Sequence, residues 1–461
     1  MGRFLHNLGI FFFTKKWWVI AFWVVILAIL GTGAGVFYKP VSNAISIPGT
    51  EAQVAIDRVA QLFPSTGKGS GTIVYHTTDK KVSDFQSAIE SNLTQVKSVT
   101  GVVNVVSPFI NPNAVSSDGK TAYALVQLKD GSGQIDKAIL DQIASITGSI
   151  NNNGLEVERA GGLIYLGVGE IIGVTEIVGV LIALMVLAIT FGALIAAGMP
   201  LLIAILGVGI SVAGLFSLSQ VVNISSTTPV LSLMLGLAVG IDYSLFIISR
   251  YRNLLLEGHS YKDAAGRAIG TAGNAVIFAA TTVIIALSAL SVVNIPFMTT
   301  MGLAGAAAIA VAALVAVSVC PAIFGIAGKN IFGKKTAAKI AEAQQQGVIA
   351  HHSVSQSTIW YKGGRILTRT PVVPIIFSLI VVALLAFPVT NLKLGLPNDE
   401  YAAANTTQKK AYDLLSNAFG VGFNAPLIVL ADNVPPVTDA DKAAVRSALT
   451  AAFQKQIDAQ T

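Results

Sequence analysis

With one cysteine, Cys320, among 461 residues, the chain can form no internal disulfide and no cysteine-based metal site. Cys320 lies in an apolar run, where a small buried thiol behaves as packing. The five histidines are His6, His76, His259, His351 and His352. None falls in an apolar run, and no carboxylate spacing beside them builds a metal site. No Gly-rich loop ending in Gly-Lys-Ser/Thr occurs, so the phosphate cradle that ATP hydrolysis needs is missing from this sequence. No cofactor is called for. Charge is scarce too: Asp, Glu, Lys and Arg make up 12% of residues, against roughly a quarter in soluble domains. Together with 53% hydrophobic residues and several long apolar runs, that scarcity points to the membrane class. The formal charge is +6, and the basic residues cluster just outside the apolar runs. That placement suits anionic lipid headgroups and gives no reason to invoke nucleic acid.

What the sequence does have is apolar length. A membrane-spanning helix needs about 20 mostly apolar residues. Seven segments meet that test, at 17–37, 171–191, 200–220, 229–249, 273–293, 299–326 and 372–390. The first is too long for the apolar part of a signal peptide and reads as a retained anchor. Residues 1–16 read as an amphipathic lead-in. A polar stretch over 39–168 follows the first helix, helices two to six occupy 169–327, a basic linker runs over 328–371, and 392–461 follow the seventh helix. Lys and Arg flank these helices on one side if every segment spans: Arg3, Lys15 and Lys16; Arg250, Arg252, Lys262 and Arg267; Lys329, Lys334, Lys335 and Lys339; Lys362, Arg365 and Arg369. Positive flanks mark the cytoplasmic side, which places the N-terminus and the linker inside and 39–168 outside.

The outer stretch carries β-rich runs at Gly71–Thr77, Val102–Val106, Ala122–Lys129 and Leu155–Arg159, with helical patterns near 51–63, 82–95 and 134–149. That order predicts a small α+β domain with a split βαβ core of the ferredoxin-like kind. The seventh helix opens a second copy. Ile47-Pro48-Gly49-Thr50-Glu51-Ala52 after the first helix is matched by Leu396-Pro397-Asn398-Asp399-Glu400-Tyr401 after the seventh. Each leads into a helical stretch ending near Phe63 or Phe419, then a short strand at Thr72-Ile73-Val74 or Leu427-Ile428-Val429. Transporters are commonly duplicated in this way, so a complete chain of roughly 700 residues with five further helices is expected.

The fourth apolar segment carries the chemistry: Gly236-Leu-Ala-Val-Gly240-Ile-Asp242-Tyr243-Ser244-Leu-Phe246. Asp242 is eight residues from Arg250 and thirteen from Pro229, about 12 Å and 20 Å along a helix. An ionised, unpartnered carboxylate at that depth costs roughly 3 kcal/mol or more. The side chain is stable there only when protonated or partnered, and an acid poised between those states is what a proton relay requires. Tyr243 and Ser244 offer hydroxyls to such an acid on this helix or a facing one. Gly236 and Gly240, four apart, permit close helix packing. Glu170 and Glu176 fall at the outer start of the second helix and read as interfacial. Asn274, Thr281, Thr282, Ser288 and Ser291 in the fifth could hydrogen-bond to the fourth, and read first as ordinary glue between membrane helices.

The run from Gly236 through Asp242-Tyr243 to Arg250-Tyr251-Arg252 resembles the MMPL (mycobacterial membrane protein large) family of the RND (resistance-nodulation-division) superfamily. The one-helix, outer-domain, five-helix layout is similar as well, across essentially the whole chain. The resemblance implies an RND-type repeat whose second copy is incomplete, with porter domains at 39–168 and 392–461, in the bacterial inner membrane. It implies export of lipids, glycolipids or other hydrophobic compounds driven by the proton motive force. It assigns the proton relay to Asp242 and Tyr243, with Gly236, Gly240 and Ser244 packing beside it. The partners would be lipid cargo, protons, membrane lipids and the missing second repeat, whose relay pair would be needed for activity. Three other readings share parts of this pattern: an accessory of protein secretion, a sterol-sensing-type receptor, and an intramembrane aspartyl protease. The last needs two facing acids sharing a site, and the seven segments contain no second deeply placed Asp. The sequence fixes neither cargo nor oligomeric state.

Overall fold

Long apolar stretches satisfy their backbone groups internally by coiling into helices, and helices dominate the computed structural model. It describes residues 2–39, 41, 47–62, 69–129, 135–151, 154–164, 174–225, 227–346, 363–364, 367–391, 399–424 and 441–458. A short helix α1 (Gly2–Thr14) leads into the first apolar helix α2 (Lys16–Val36). Then follow α3 (Glu51–Leu62), β1 (Gly69–Thr77), α4 (Gln86–Lys97), β2 (Val102–Val106), β3 (Thr121–Leu128), α5 (Lys137–Gly148) and β4 (Leu155–Gly161). The helix bundle continues with α6 (Val174–Phe191), α7 (Leu194–Ser217), α8 (Thr227–Leu256), α9 (Tyr261–Ala268), α10 (Asn274–Ser288) and α11 (Pro296–Ala327). After α12 (Lys334–Gln346) come α13 (Val372–Ala386), α14 (Thr407–Phe419) and α15 (Lys442–Asp458).

Among the described residues six helices are long and apolar enough to cross a membrane, and Ile177–Phe191 of α6 is a shorter apolar stretch. Several boundaries differ from the sequence reading. The predicted loop over 191–200 shrinks to Gly192-Ala193, and α7 starts at Leu194 with Pro200 inside it. Proline costs a helix hydrogen bond, but Pro200 is buried among neighbouring helices, a setting in which membrane helices tolerate it. Gly192 takes the left-handed φ of +63° that lets so short a turn close, and its carbonyl presses so close to Gly333 that a Cβ there would lie 2.5 Å away. The stretch Arg250–Arg267 is not a loop either: α8 runs to Leu256, and α9 starts at Tyr261 under the Ser260 cap, whose hydroxyl accepts from the Asp263 N–H. A π-helical turn, Ile269–Gly273, joins α9 to α10. Asn294, with φ of 58°, makes the turn into α11, and Pro296 opens that helix where no N–H is required.

The sheet has strand order β2-β3-β1-β4, all antiparallel. Alternation sets its two faces. Ile73 and Tyr75 of β1 and Ala122, Ala124 and Val126 of β3 pack with Ile89, Leu93 and Val96 of α4 and Leu140 and Ile143 of α5. Val74 points the other way, onto Ala411 and Leu415 of α14. Tyr123 joins that second face, edge-on to Phe419 and Phe423 with ring centroids 5.4 and 5.0 Å apart. The Arg159 N–H donates to Thr407 Oγ1 at 2.8 Å, and Lys410 Nζ lies 3.3 Å from Glu158. The helix after the seventh apolar segment thus covers the sheet formed after the first. Its sequence counterpart α3 leaves Val54 and Ile56 exposed. The expected strand at Leu427-Ile428-Val429, Glu170 and the pair His351-His352 lie outside the described residues.

Candidate functional site

The residues of α8 sort by face. Ser232, Gly236, Gly240, Ser244, Ile247, Ile248 and Tyr251 are buried, at spacings of three and four that trace one stripe of a helix. Met234, Ala238, Asp242, Phe246, Ser249 and Asn253 are exposed, at the same spacings on the opposite stripe. The buried stripe packs against α7 and α11. Its small residues bring the backbones together: a Cβ on Gly240 would sit 3.0 Å from both Cα and Cβ of Ala204 in α7, and one on Gly236 would sit 3.0 Å from the Val208 methyl. Gly207, one turn on in α7, faces the backbone of Ala312 in α11. At the far end of α8, Tyr251 stacks on Phe324 of α11 with centroids 3.8 Å apart.

Asp242 follows the Gly240 contact by two residues, about 200° around the helix, and so faces away from α7. It is an exposed acid between Met234 and Phe246 on an apolar helix. Among the described residues no hydrogen bond or ion pair reaches its carboxyl. Tyr243 is half-buried beside it and packs against the bundle core. Ser244 is fully buried and donates to the Gly240 carbonyl at 2.7 Å, with the Cys320 thiol of α11 at its side. Its hydroxyl is therefore engaged within the α8–α11 contact and does not face Asp242. Gly236, Gly240 and Ser244 lie together on the packed stripe, and Asp242 stands on the open one.

The fifth apolar helix does not supply the expected partners. The Thr281 and Thr282 hydroxyls donate to their own helix, to Ile277 at 2.8 Å and Phe278 at 3.0 Å, and Ser291 bonds Ser288 in the same way. Helix α10 packs mainly on α11 rather than on α8. The polar bonds that do tie the bundle join other helices: Trp23 Nε1 donates to Ser318 Oγ at 2.9 Å, Ser217 Oγ to the Leu30 carbonyl at 2.8 Å, and Lys16 Nζ to the Gly325 carbonyl at 2.6 Å. Nothing in the local pattern marks them, because each pairs residues far apart in sequence. A charged cluster was equally easy to pass over. Asp263 lies 2.7 Å from Arg267 Nε, 3.0 Å from His259 Nδ1 and 3.6 Å from His6 Nε2. The spacings 259, 263 and 267 were its only sequence signal.

A family model described as MMPL family matches residues 44–374. The membrane protein YdfJ of Bacillus subtilis is 36% identical over 437 residues, which cover 94% of this chain and 58% of YdfJ. The putative membrane protein SCO6666 of Streptomyces coelicolor is 26% identical over 423 residues, covering 89% of this chain and 57% of its own. The trehalose monomycolate exporter MmpL3 of Mycobacterium tuberculosis is 28% identical over 300 residues, 59% of this chain and 31% of that exporter. The chain spans less than three-fifths of the length of the first two relatives.

Proposed function

Because the chain belongs to the MMPL family of membrane transporters, within the RND superfamily, we propose that it is the front portion of a proton-driven exporter of lipids or other hydrophobic compounds in the bacterial inner membrane. The observation that carries this reading is the position of Asp242: an acid without a partner among the described residues, on the open stripe of an otherwise apolar helix. In this reading Asp242 takes up and releases the transported proton, and Tyr243 beside it helps pass that proton on. Moving one charge through a potential of 100 mV is worth about 2.3 kcal/mol, enough to bias a conformational equilibrium by more than tenfold. The open stripe would face the counterpart helices of the second repeat. The glycine-lined stripe holds α8 rigidly against α7 and α11, so that protonation acts on the interface between repeats.

The remaining parts follow from the same reading. The sheet with α4 and α5 is the first porter domain, of the split βαβ, ferredoxin-like kind, outside the membrane. Helices α3 and α14 follow the first and seventh apolar helices at matching sequence positions, which supports duplication, although α14 is docked on the sheet and α3 is exposed. Lys16, Arg250 and Arg267 stand at the bundle end away from the sheet, which favours a cytoplasmic N-terminus. MmpL3 is named as a lipid exporter, and that supports lipid-like cargo. The test uses the product of the full reading frame in vesicles with an imposed pH gradient, measuring flux of a fluorescent lipid. Asp242→Asn should insert and fold normally and lose transport. Transport at the wild-type rate by that variant would remove Asp242 from the relay.

A further inference from the structure

A polar cavity of about 650 Å³ lies at the end of the bundle away from the sheet, between α1, the end of α8, the turn into α9 and the π-helical turn. Arg3, Arg250 and Arg267 line it with His6 and His259, and Glu257 is the one carboxylate among its described lining residues. Arg267 is committed to Asp263. Arg250 meets Glu257 only at 3.6 Å, and no hydrogen bond or ion pair reaches Arg3 among the described residues. Two guanidinium forks are therefore free or nearly free to bind an anion.

The walls are held by close backbone packing. Gly9 of α1 seats on Ile269 and Ala265, Gly266 would place a Cβ 3.0 Å from the His6 ring, and Gly270 one 3.1 Å from the Gly2 carbonyl. The same α1 exposes Phe4 and Phe11, and Trp17 and Trp18 are exposed where α2 begins. Aromatics on an amphipathic helix beside a spanning helix settle at the headgroup layer of a bilayer. The cavity then opens at the depth where lipid phosphates lie.

We propose that this cavity binds a phosphate-bearing anion through Arg3 and Arg250, with the phosphodiester of an acidic phospholipid as the source that its depth favours. An arginine fork matches two phosphate oxygens at once, a geometry that a neutral side chain cannot supply. A headgroup held there would clamp α1 to α8 and to the π-helical turn, fixing one end of the bundle from the lipid side.

The full chain, purified in neutral detergent, is titrated with dioleoyl phosphatidylglycerol, with dioleoyl phosphatidylcholine and with inorganic phosphate. Native mass spectrometry reads bound lipid, and thermal unfolding reads stabilisation. Phosphatidylglycerol should be retained over phosphatidylcholine by about tenfold, the factor that 1.4 kcal/mol supplies. Arg3→Gln with Arg250→Gln should bring the two lipids to near equality, whereas Lys97→Gln on α4 should leave the ratio unchanged. Arg3→Glu alone, at the exposed start of α1, gives the same reading without disturbing packing should the double variant fail to fold. Stabilisation by inorganic phosphate that is lost in the arginine variants, without lipid preference, would keep the anion site and assign it a soluble ligand. Equal retention of both lipids with no response to phosphate would overturn the proposal. So would a phosphatidylglycerol preference that survives the arginine substitutions.

Discussion

Gly240→Ala probes the contact on which the placement of Asp242 depends. The added methyl would lie 3.0 Å from Cα and Cβ of Ala204, whereas carbon atoms rest comfortably at about 3.5–4.0 Å. The Ala204 Cα is backbone and cannot rotate aside, so α7 and α8 must part by roughly half an ångström or more. Overpacking of this kind costs about 1–3 kcal/mol. Alanine also favours the helix over glycine by about 1 kcal/mol, and that gain must be removed before the packing cost is visible. Gly31→Ala in α2 removes it, because a Cβ there meets nothing within 4 Å. Gly240→Ala should therefore be about 1–3 kcal/mol less stable than Gly31→Ala, read by unfolding in mixed micelles with tryptophan fluorescence. Adding Ala204→Gly takes one of the two clashing carbons away, so the pair should be non-additive by at least about 0.5 kcal/mol in the direction of rescue. Equal stability of the two alanine variants, or strict additivity in the cycle, would refute an α7–α8 crossing at this glycine.

Two further outcomes concern the sheet and the segment docked on it. The Tyr75 hydroxyl is buried with no hydrogen-bond partner among the described residues, and burial, aided by the Glu90 carboxylate, raises the phenol above its usual range. An unsatisfied buried hydroxyl costs about 1–3 kcal/mol, so Tyr75→Phe should be neutral or stabilising in thermal unfolding; a loss above about 1 kcal/mol would mean the hydroxyl has a partner. Burial likewise raises the Asp399 carboxyl, against a smaller opposing effect of a backbone hydrogen bond at Gly161. A carboxyl raised on folding stabilises the folded state in acid, and that contribution is lost as pH rises through its folded value above the ordinary carboxylate range. The hydrogen-exchange protection factor around 399–401, which removes the intrinsic base-catalysed rise in rate, should fall over that interval in the wild-type chain and stay level in Asp399→Asn; equal pH dependence of protection in both would reject the assignment.

Where the sequence was legible, local period was the reason. The β-rich run through Ile73, Val74 and Tyr75 marks a strand, and the glycine and serine spacing at 236, 240 and 244 marks the packed side of α8. Both signals repeat within a few residues. The start of α7 at Leu194 is not legible because Pro200 reads as the first residue of a helix, and only its burial among neighbouring helices makes it tolerable inside one. Thr281 and Thr282 form no bond to the fourth apolar helix for a similar reason: a threonine hydroxyl in an apolar helix finds its own carbonyl four residues back before any neighbour. The docking of α14 onto the first sheet had no local signal at all. Its amphipathic face was readable, but the sheet it meets lies far back in the chain, 248 residues at the Arg159–Thr407 bond, where no local pattern points. The Asp263 cluster draws His6 from across the chain, so three of its members could be paired from spacing and the fourth could not.

The open stripe of α8 leaves one residue to carry the account, and its protonation can be observed directly. Infrared difference spectra of the full-length protein, recorded across a pH titration in a bilayer, should show a carboxylic acid band that exchanges with a carboxylate band and disappears in Asp242→Asn. A wild-type spectrum with no titrating band that the substitution removes would leave the proposed proton path without its carrier.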